Sequence, residues 1–122
     1  MRDFQTVQLR IDTAGAQIDA AALVLRNDCL EAQRTYEAGG TFDMETRLRC
    51  KRNCVFAAKL CMEAISSLHE IAGANGICDR DPLQRMFRAA RAAAGHFSFS
   101  PDAQLPPWGP VALGDRRTSA TL

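Results

Sequence analysis

The sequence lacks the features that mark several specialised classes of protein. Its 122 residues carry 15 basic and 14 acidic side chains, and the formal net charge of +1 excludes a strongly basic nucleic-acid binder and an acidic solvating tail. No apolar run reaches the ~18–20 residues that a membrane-spanning helix needs. The N-terminal segment MRDFQ contains no apolar stretch of a secretory signal. We therefore expect a cytoplasmic protein with no membrane and no nucleic-acid partner.

The sequence contains too few cysteine and histidine residues at suitable spacing to predict a metal site. There are five cysteines, an odd number, and two histidines that lie far along the chain. Cys50, Cys54 and Cys61 are spaced by four and seven residues, which places them on one face of a helix. Rigid helical spacing suits packing better than a disulfide framework, and zinc would need more ligands. We expect buried free thiols and no metal.

What the sequence does contain is helical periodicity, with 47% apolar residues and no pattern typical of a strand. A first helix is predicted over about residues 4–37, ended by Gly39 and Gly40. Apolar residues at three- and four-residue steps predict one buried stripe along it: Ile11, Ala14, Ile18, Ala21, Leu25 and Ala32.

A second helix is predicted over about residues 43–71, with Asp43 as its N-cap and Gly73 after its end. Within residues 54–65 only Lys59 and Glu63 are charged, so this stretch should be buried on more than one side. A turn follows with the sequence HEIAGANG. Its small residues would let a ligand or another backbone approach closely, although an ordinary helix–helix connection explains them as well.

The third helix is predicted over about residues 82–97, because Asp81 is a good N-cap and Pro82 fits the first turn. Arg85, Arg88 and Arg91 share one broad face, which would either bind an anion or be a solvated surface. His96 falls near the helix end, as an acid–base group or as a partner of the helix dipole. Four further prolines predict an irregular tail over residues 98–122, with Trp108 as a packing anchor.

These elements make one all-α domain spanning residues 1–122, with three main antiparallel helices. A ~30-residue helix is about 45 Å long, whereas a compact domain of this size is about 35 Å across. Three helices of these lengths leave apolar surface exposed, so we expect a homo-oligomer or a larger partner.

Several segments together resemble the C-terminal helical domain of the acyl-CoA dehydrogenase fold, and more narrowly its flavin-dependent, two-component monooxygenase branch. The quoted segments are LHEIAGANG at 68–76, DPLQRMFR at 81–88, His96, Trp108-Gly109 and Leu113-Gly114. The segment from Val7 to Leu25 is also similar to the family's first long C-terminal helix. The resemblance covers nearly the whole chain.

The resemblance implies a flavin cofactor, FMN or FAD, held only with a partner or in an oligomer. Gly73, Ala74 and Gly76 match the turn that contacts the flavin's phosphate-bearing tail, and Arg85 lies in the matching helix start. His96 matches a histidine that assists oxygen chemistry. Full members also carry an N-terminal domain, a β-domain and a first bundle helix. The implied partners are a larger subunit with these parts and a flavin reductase.

Two departures from the family pattern stand out. Ala89 follows Arg88 where the family often has an acidic residue, and the aromatic of the tail motif is Trp108 behind a proline pair. Two functions follow. The favoured one is the C-terminal subunit or fragment of a flavin-dependent monooxygenase that is inactive alone. The alternative is a helical bundle without flavin that serves as a partner-binding or small-ligand scaffold.

Overall fold

A computed structural model describes residues 4–115 of the chain. Five α-helices follow one another: α1 (Gln5–Glu37), α2 (Met44–Ile71), α3 (Pro82–Ala94), α4 (Pro101–Gln104) and α5 (Trp108–Ala112). Single 3-10 turns at Gly73–Ile77 and Phe97–Phe99 flank α3, and the described part of the chain contains no strand. The all-α class predicted from the sequence is confirmed. The central helix is α2, against which α1, α3 and the C-terminal segment all pack.

The two long helices form an antiparallel hairpin that is closed by local turn chemistry. Gly39 adopts a φ of 73°, in the left-handed region that glycine enters without steric cost, just beyond the end of α1. Asp43 then caps α2 by accepting a hydrogen bond from the backbone N–H of Thr46 at 2.8 Å. That bond lowers the pKa of the Asp43 carboxyl, because it favours the charged form.

The core between α1 and α2 consists mainly of small side chains. The buried apolar residues are Ala14, Ala21, Leu48, Val55, Ala57 and Ala64. Leu48 alone among the large described side chains is fully buried. Alanine at the contact allows the two helix backbones to approach closely, so that the hairpin is tight although it buries little apolar area.

Polar contacts also cross the seam between α1 and α2. Arg10 pairs with Glu70, Gln17 Nε2 donates to Glu63 at 3.0 Å, and Arg49 pairs with Glu31 at 2.5 Å. All of these side chains are at least partly exposed, so each pair adds at most ~1 kcal/mol of stability. Their joint effect is to fix the register of the hairpin along its length.

The prediction of one buried apolar stripe along the first helix is wrong, because the predicted residues lie along two different lines of α1. Only Ala14 and Ala21 of that stripe are buried against α2, in line with Asp28. Ile11, Ile18 and Leu25, which we name the isoleucine stripe, are 53%, 46% and 37% exposed. Leu9, Leu23 and Leu30, the leucine stripe, are 65%, 67% and 40% exposed on another side of α1.

The central part of α2 is likewise less covered than the sequence predicted. Val55, Ala57 and Ala64 are buried, but Phe56 is 51% exposed. All five cysteines are free thiols; Cys50 and Cys54 are half-buried, whereas Cys29, Cys61 and Cys78 are exposed. The expectation of buried thiols is therefore wrong for Cys29, Cys61 and Cys78. Cys61 lies on a face of α2 that nothing in the described chain covers.

The third helix and the tail depart from the sequence prediction in two ways. First, α3 ends at Ala94 rather than at residue 97, because Gly95 is a poor helix former and His96 takes an extended ψ of 140°. Second, the tail is not wholly irregular, since α4 and α5 form within it. Pro101 occupies the first turn of α4, where its missing N–H costs nothing. Residues 116–122 of the predicted tail lie outside the described residues.

Candidate functional site

The turn between α2 and α3 is held by His69. Its Nε2 lies 2.9 Å from the carbonyl oxygen of Gly76, and because a carbonyl only accepts, Nε2 carries the hydrogen. The imidazole also stacks on Phe87 of α3, with ring centroids 4.4 Å apart and planes 19° apart. His69 therefore ties together the end of α2, the turn and α3. Both of these contacts are structural.

Two glycines of the turn are needed for different physical reasons. Gly73 has a φ of 55°, which favours glycine, and the space in front of it is open. Gly76 has an ordinary φ but is buried, and a Cβ there would lie 3.0 Å from His69 Nε2 and 3.2 Å from Ala72 Cβ. Gly76 is thus required by packing within the chain, while Gly73 and the exposed Ala74 face outward.

The N-terminus of α3 is already occupied by a carboxylate. Asp81 accepts a hydrogen bond from the backbone N–H of Leu83 at 2.8 Å, and Pro82 has no N–H to offer. A phosphate at this helix end would compete with Asp81 for the same dipole. Arg85 lies one turn further along α3 with its side chain exposed. Any anion recognised here would therefore meet the Arg85 guanidinium rather than free backbone N–H groups.

His96 lies outside α3, contrary to the sequence prediction, and caps the 3-10 turn that follows. Its Nδ1 accepts a hydrogen bond from the backbone N–H of Ser98 at 3.2 Å, and its ring meets the edge of Phe99. In the neutral imidazole, acceptance at Nδ1 places the proton on Nε2. Because the residue is exposed, this Nε2–H can donate to a group outside the chain. Because His96 directly follows the C-cap Gly95 of α3, the acid–base group and the partner of the helix dipole both stay predictions for it.

A cleft of about 660 Å³ begins directly after His96, between α2 and the C-terminal segment. Its walls are mostly apolar or thiol side chains and include Leu48, Cys50, Cys54, Phe97, Phe99 and Pro107. Burial, followed by the charge of Asp28, raises the pKa of the Cys50 and Cys54 thiols. Both thiols are consequently protonated at neutral pH and are poor nucleophiles. The cleft has a size suited to a small organic molecule.

A second groove, of about 550 Å³, lies over the seam where α1, α2 and α3 face it. Arg10, Lys59 and Arg91 contribute positive charge, and Glu63 and Glu70 contribute negative charge. Glu70 already pairs with Arg10, and the Arg91 guanidinium lies over the Phe87 ring, 5.8 Å from its centroid. The mixed charge makes this groove a poor match for a ligand of one sign.

One polar network escaped the sequence analysis. Asp28 is only 8% exposed and accepts two 3.0 Å hydrogen bonds from Asn53 Nδ2. The Asn53 oxygen in turn accepts from the Arg52 guanidinium, which stacks 4.5 Å above the centroid of the Trp108 ring. The network links α1, α2 and α5, and it gives Trp108 the packing role expected of it. The sequence signal for this network was Asp28 itself, which lies seven residues after Ala21 and therefore on the buried line of α1.

The structure brings the predicted site residues together in two groups rather than one. The turn residues and Arg85 lie at the start of α3, and His96 lies just beyond its end. A 13-residue helix is about 20 Å long, so these groups are separated by about that distance. Both groups offer polar contacts to the flavin that the resemblance implies. The turn residues and Arg85 could contact its phosphate, and His96 could contact the edge of its ring. The cleft is open, and both faces of a flavin ring would need walls from other parts of an assembly.

Neither of two other site types is found in the described chain. No helix within residues 4–115 is long and apolar enough to span a bilayer. In the same residues no cluster of three or more His, Cys, Asp or Glu side chains could hold a metal ion.

Comparison with known proteins relates the chain to oxygenases. It is 33% identical over 107 residues to the oxygenase component of an FADH(2)-dependent resorcinol hydroxylase from Rhizobium sp. (strain MTP-10005), covering 84% of this chain and 26% of that protein. It is 32% identical over 101 residues to the flavin-dependent monooxygenase oxygenase subunit HsaA from Rhodococcus jostii (strain RHA1), covering 83% and 26% respectively. The chain thus spans about a quarter of the length of the curated relatives it matches.

Solved structures show the same relationship. The crystal structure of 3-HSA hydroxylase from Rhodococcus sp. RHA1 superposes with a TM-score of 0.86 at 30% identity, covering 93% of this chain and 29% of that one. The HsaA monooxygenase from M. tuberculosis superposes with a TM-score of 0.84 at 28% identity, covering 92% and 29%. The family model described as "Acyl-CoA dehydrogenase, C-terminal domain" matches residues 1–101. The chain therefore belongs to the acyl-CoA dehydrogenase C-terminal domain family.

Proposed function

We propose that this chain is the flavin-proximal C-terminal part of a two-component, flavin-dependent monooxygenase. The observation that carries the proposal is the exposed His96, which immediately precedes Phe97 and Ser98 in the wall of a largely apolar cleft, in a chain that superposes closely on a hydroxylase. A bound reduced flavin supplies the electrons that activate oxygen. His96 would donate a hydrogen bond or a proton from Nε2, and the cleft would exclude water on one side.

The remaining residues would hold the cofactor at a distance from His96. Gly73 and Ala74 would admit a phosphate close to the backbone of the turn, and Arg85 would supply positive charge. Gly76 would act indirectly, because its carbonyl is engaged by His69 and its missing Cβ leaves room for that ring. The cofactor is FMN or FAD, bound only when further domains or copies of the chain complete the site.

The proposal extends to partners and location. The oxygenase components among the relatives are named as parts of larger systems, which supports a separate flavin reductase as a partner. The chain's share of their length supports a larger subunit that carries the missing N-terminal and β domains. Association with further copies of itself and a cytoplasmic location stay predictions.

A domain replacement tests the function directly. The C-terminal segment of the Rhodococcus 3-HSA hydroxylase would be replaced by this chain, and hydroxylation would be measured with reduced flavin supplied. We expect measurable turnover that His96→Ala abolishes without lowering the thermal midpoint. Asp102→Ala, at an exposed position of α4 that does not line the cleft, is the matched control for local disturbance. A folded chimera that binds flavin and is unaffected by His96→Ala would contradict the role of His96.

The second candidate function is a scaffold without flavin, and one observation favours it. Asp81 occupies the N-terminus of α3, where a phosphate-binding chain would leave the helix end open. A chimera that folds but stays colourless, with no flavin absorbance after dialysis, would support the scaffold and contradict the monooxygenase.

A further inference from the structure

Gln104 is a buried polar side chain in the wall of the cleft between α2 and the C-terminal segment. It is the last residue of α4 and is only 8% exposed. Its Nε2 donates a hydrogen bond of 3.3 Å to the carbonyl oxygen of Phe97, which leaves Oε1 as the other end of the amide. Within residues 4–115, no group donates a hydrogen bond to this Oε1. Gln104 therefore holds an open acceptor at the cleft.

The open acceptor can be reached from the cleft. A buried amide oxygen costs free energy when nothing donates to it, so buried polar groups are normally hydrogen-bonded. Among the described side chains, the fully buried atom without a partner is Arg49 Nε, so Gln104 Oε1 keeps some contact with solvent. Because Gln104 lines the cleft and little of it is exposed, that contact opens into the cleft. A molecule in the cleft that carries an O–H or N–H group would satisfy the acceptor.

The rest of the wall favours a neutral, largely apolar occupant. Cys50 and Cys54 are protonated at neutral pH, because burial raises their thiol pKa values. Lys51, the charged residue of the lining, is already engaged in an interaction of its own, and no acidic residue of the described chain lines the cleft. Apolar side chains form most of the remainder: Leu48, Phe97, Phe99, Ala103 and Pro107. A charged ligand would lose its hydration here without gaining a partner of opposite charge.

We infer that the cleft binds a small neutral molecule with an apolar ring, and that a hydroxyl or N–H group of this molecule donates to Gln104 Oε1. The cleft volume of about 660 Å³ lies within the range of about 300–1,000 Å³ that is typical of small-molecule sites. The ring would contact the thiols of α2 and the aromatic side chains of the C-terminal segment. His96 does not line the cleft, so Gln104 is the residue that would orient the molecule. The inference holds whether or not the chain binds flavin.

Cinnamyl alcohol, its methyl ether and cinnamate test the chemistry of the site on the 122-residue chain. They share one apolar frame, but only the alcohol is both neutral and a hydrogen-bond donor. In calorimetry the alcohol should bind with a Kd on the order of 1 mM, and the ether should bind about threefold to tenfold more weakly, because it leaves Oε1 unsatisfied. The single indole N–H resonance, that of Trp108 beside Pro107 of the wall, should shift on binding. No binding of the alcohol, equal or tighter binding of the ether, or tighter binding of cinnamate overturns the inference. Binding that leaves the Trp108 resonance unmoved places the alcohol elsewhere and overturns it too.

A variant separates the role of Gln104 from the bulk of the ether's methyl group. Gln104→Met keeps the length of the side chain but removes the acceptor, so the alcohol should bind about threefold to tenfold more weakly, while the Kd of the ether should change less than about twofold. Gln5→Met is the matched control, because Gln5 is exposed at the first residue of α1, far from the cleft along the hairpin. If the chain with Gln104→Met still prefers the alcohol to the ether, the inference is overturned. Binding only after removal of residues 116–122 would make that segment the occupant and overturn it as well. Circular dichroism shows whether each variant keeps its helices, and if Gln104→Met unfolds, the alcohol-to-ether ratio of the unaltered chain decides.

Discussion

Replacing Gly76 by alanine tests whether His69 governs the turn between the long hairpin and α3. The new Cβ would lie 3.0 Å from His69 Nε2 and 3.2 Å from Ala72 Cβ, closer than such atoms normally approach. The φ of Gly76 is ordinary, so alanine would add no backbone strain. Steric displacement of the His69 ring is therefore the effect that Gly76→Ala isolates.

The magnitude follows from the contacts that His69 would lose. Overpacking in a filled site costs about 1–3 kcal/mol. Loss of the hydrogen bond to the Gly76 carbonyl costs about 0.5–1.5 kcal/mol, and weakened stacking on Phe87 costs up to ~1 kcal/mol more. These terms overlap, since one movement of the ring relieves the clash while breaking the bond. We expect a net loss of about 2 kcal/mol, or roughly 6–10 °C in thermal midpoint for a chain of this size.

The assay is thermal and urea unfolding in a double-mutant cycle with His69→Ala. If the ring causes the loss, Gly76→Ala should cost less than ~0.5 kcal/mol once the ring is gone. Gly109→Ala is the matched control, because nothing lies within 4 Å of its added Cβ and α5 accepts alanine. An equal cost of Gly76→Ala with and without the His69 ring would refute the reasoning. The backbone of the turn, and not the imidazole, would then be the constraint.

Three further predictions follow from other contacts. Asn53→Ala should destabilise the chain by about 1–3 kcal/mol in urea unfolding, because it leaves the buried Asp28 carboxylate without its two hydrogen bonds, and Asn27→Ala on the surface should be neutral. The pKa of Asp43 is lowered in the folded chain, so its contribution to stability is present above the unfolded pKa and is lost as the pH falls through the folded pKa. Asp43→Asn should therefore flatten the acid limb of the curve of unfolding free energy against pH. An unchanged curve would contradict this. The exposed thiols of Cys29, Cys61 and Cys78 should be alkylated before those of Cys50 and Cys54, because the half-buried pair has raised thiol pKa values. Mass spectrometry of timed samples measures the order. The opposite order would show that the C-terminal segment does not cover α2.

The parts of the fold that could be predicted from sequence are those set by local chemistry. Asp43 and Asp81 cap their helices through side-chain oxygens, as their positions before apolar periodic segments indicate. Gly39 ends α1 through a positive φ. Each of these signals acts within four residues, so no knowledge of the tertiary structure is needed to interpret it.

Other features depend on partners that are distant along the chain or belong to the backbone. The His69 ring is held by the carbonyl of Gly76, a group that every residue possesses and that carries no sequence signature. The sequence prediction ends α3 three residues too late, because His96 and Phe97 are acceptable in a helix. In the structure, Gly95 and the hydrogen bond from the Ser98 N–H to the His96 side chain favour termination. The two groups of candidate site residues lie at opposite ends of α3, a separation that the predicted helix of residues 82–97 already implies.

The error about α1 has a physical origin that bears on stability. Sequence reasoning assigns large apolar residues to the core, yet here alanines line the seam, and Leu23 stays 67% exposed. Much of the apolar area that could stabilise this chain would therefore be buried only on association, and in the predicted homo-oligomer the fold should be linked to concentration by mass action. For a dimer, a tenfold rise in concentration adds about 1.4 kcal/mol per dimer, so the thermal midpoint should rise by about 2–4 °C. Leu23→Glu should weaken that dependence, because it places a carboxylate on an exposed apolar face of α1. Leu113→Glu, at a position in the tail that is 90% exposed, should retain it. A midpoint independent of concentration would show that the small seam between α1 and α2 suffices to hold the fold.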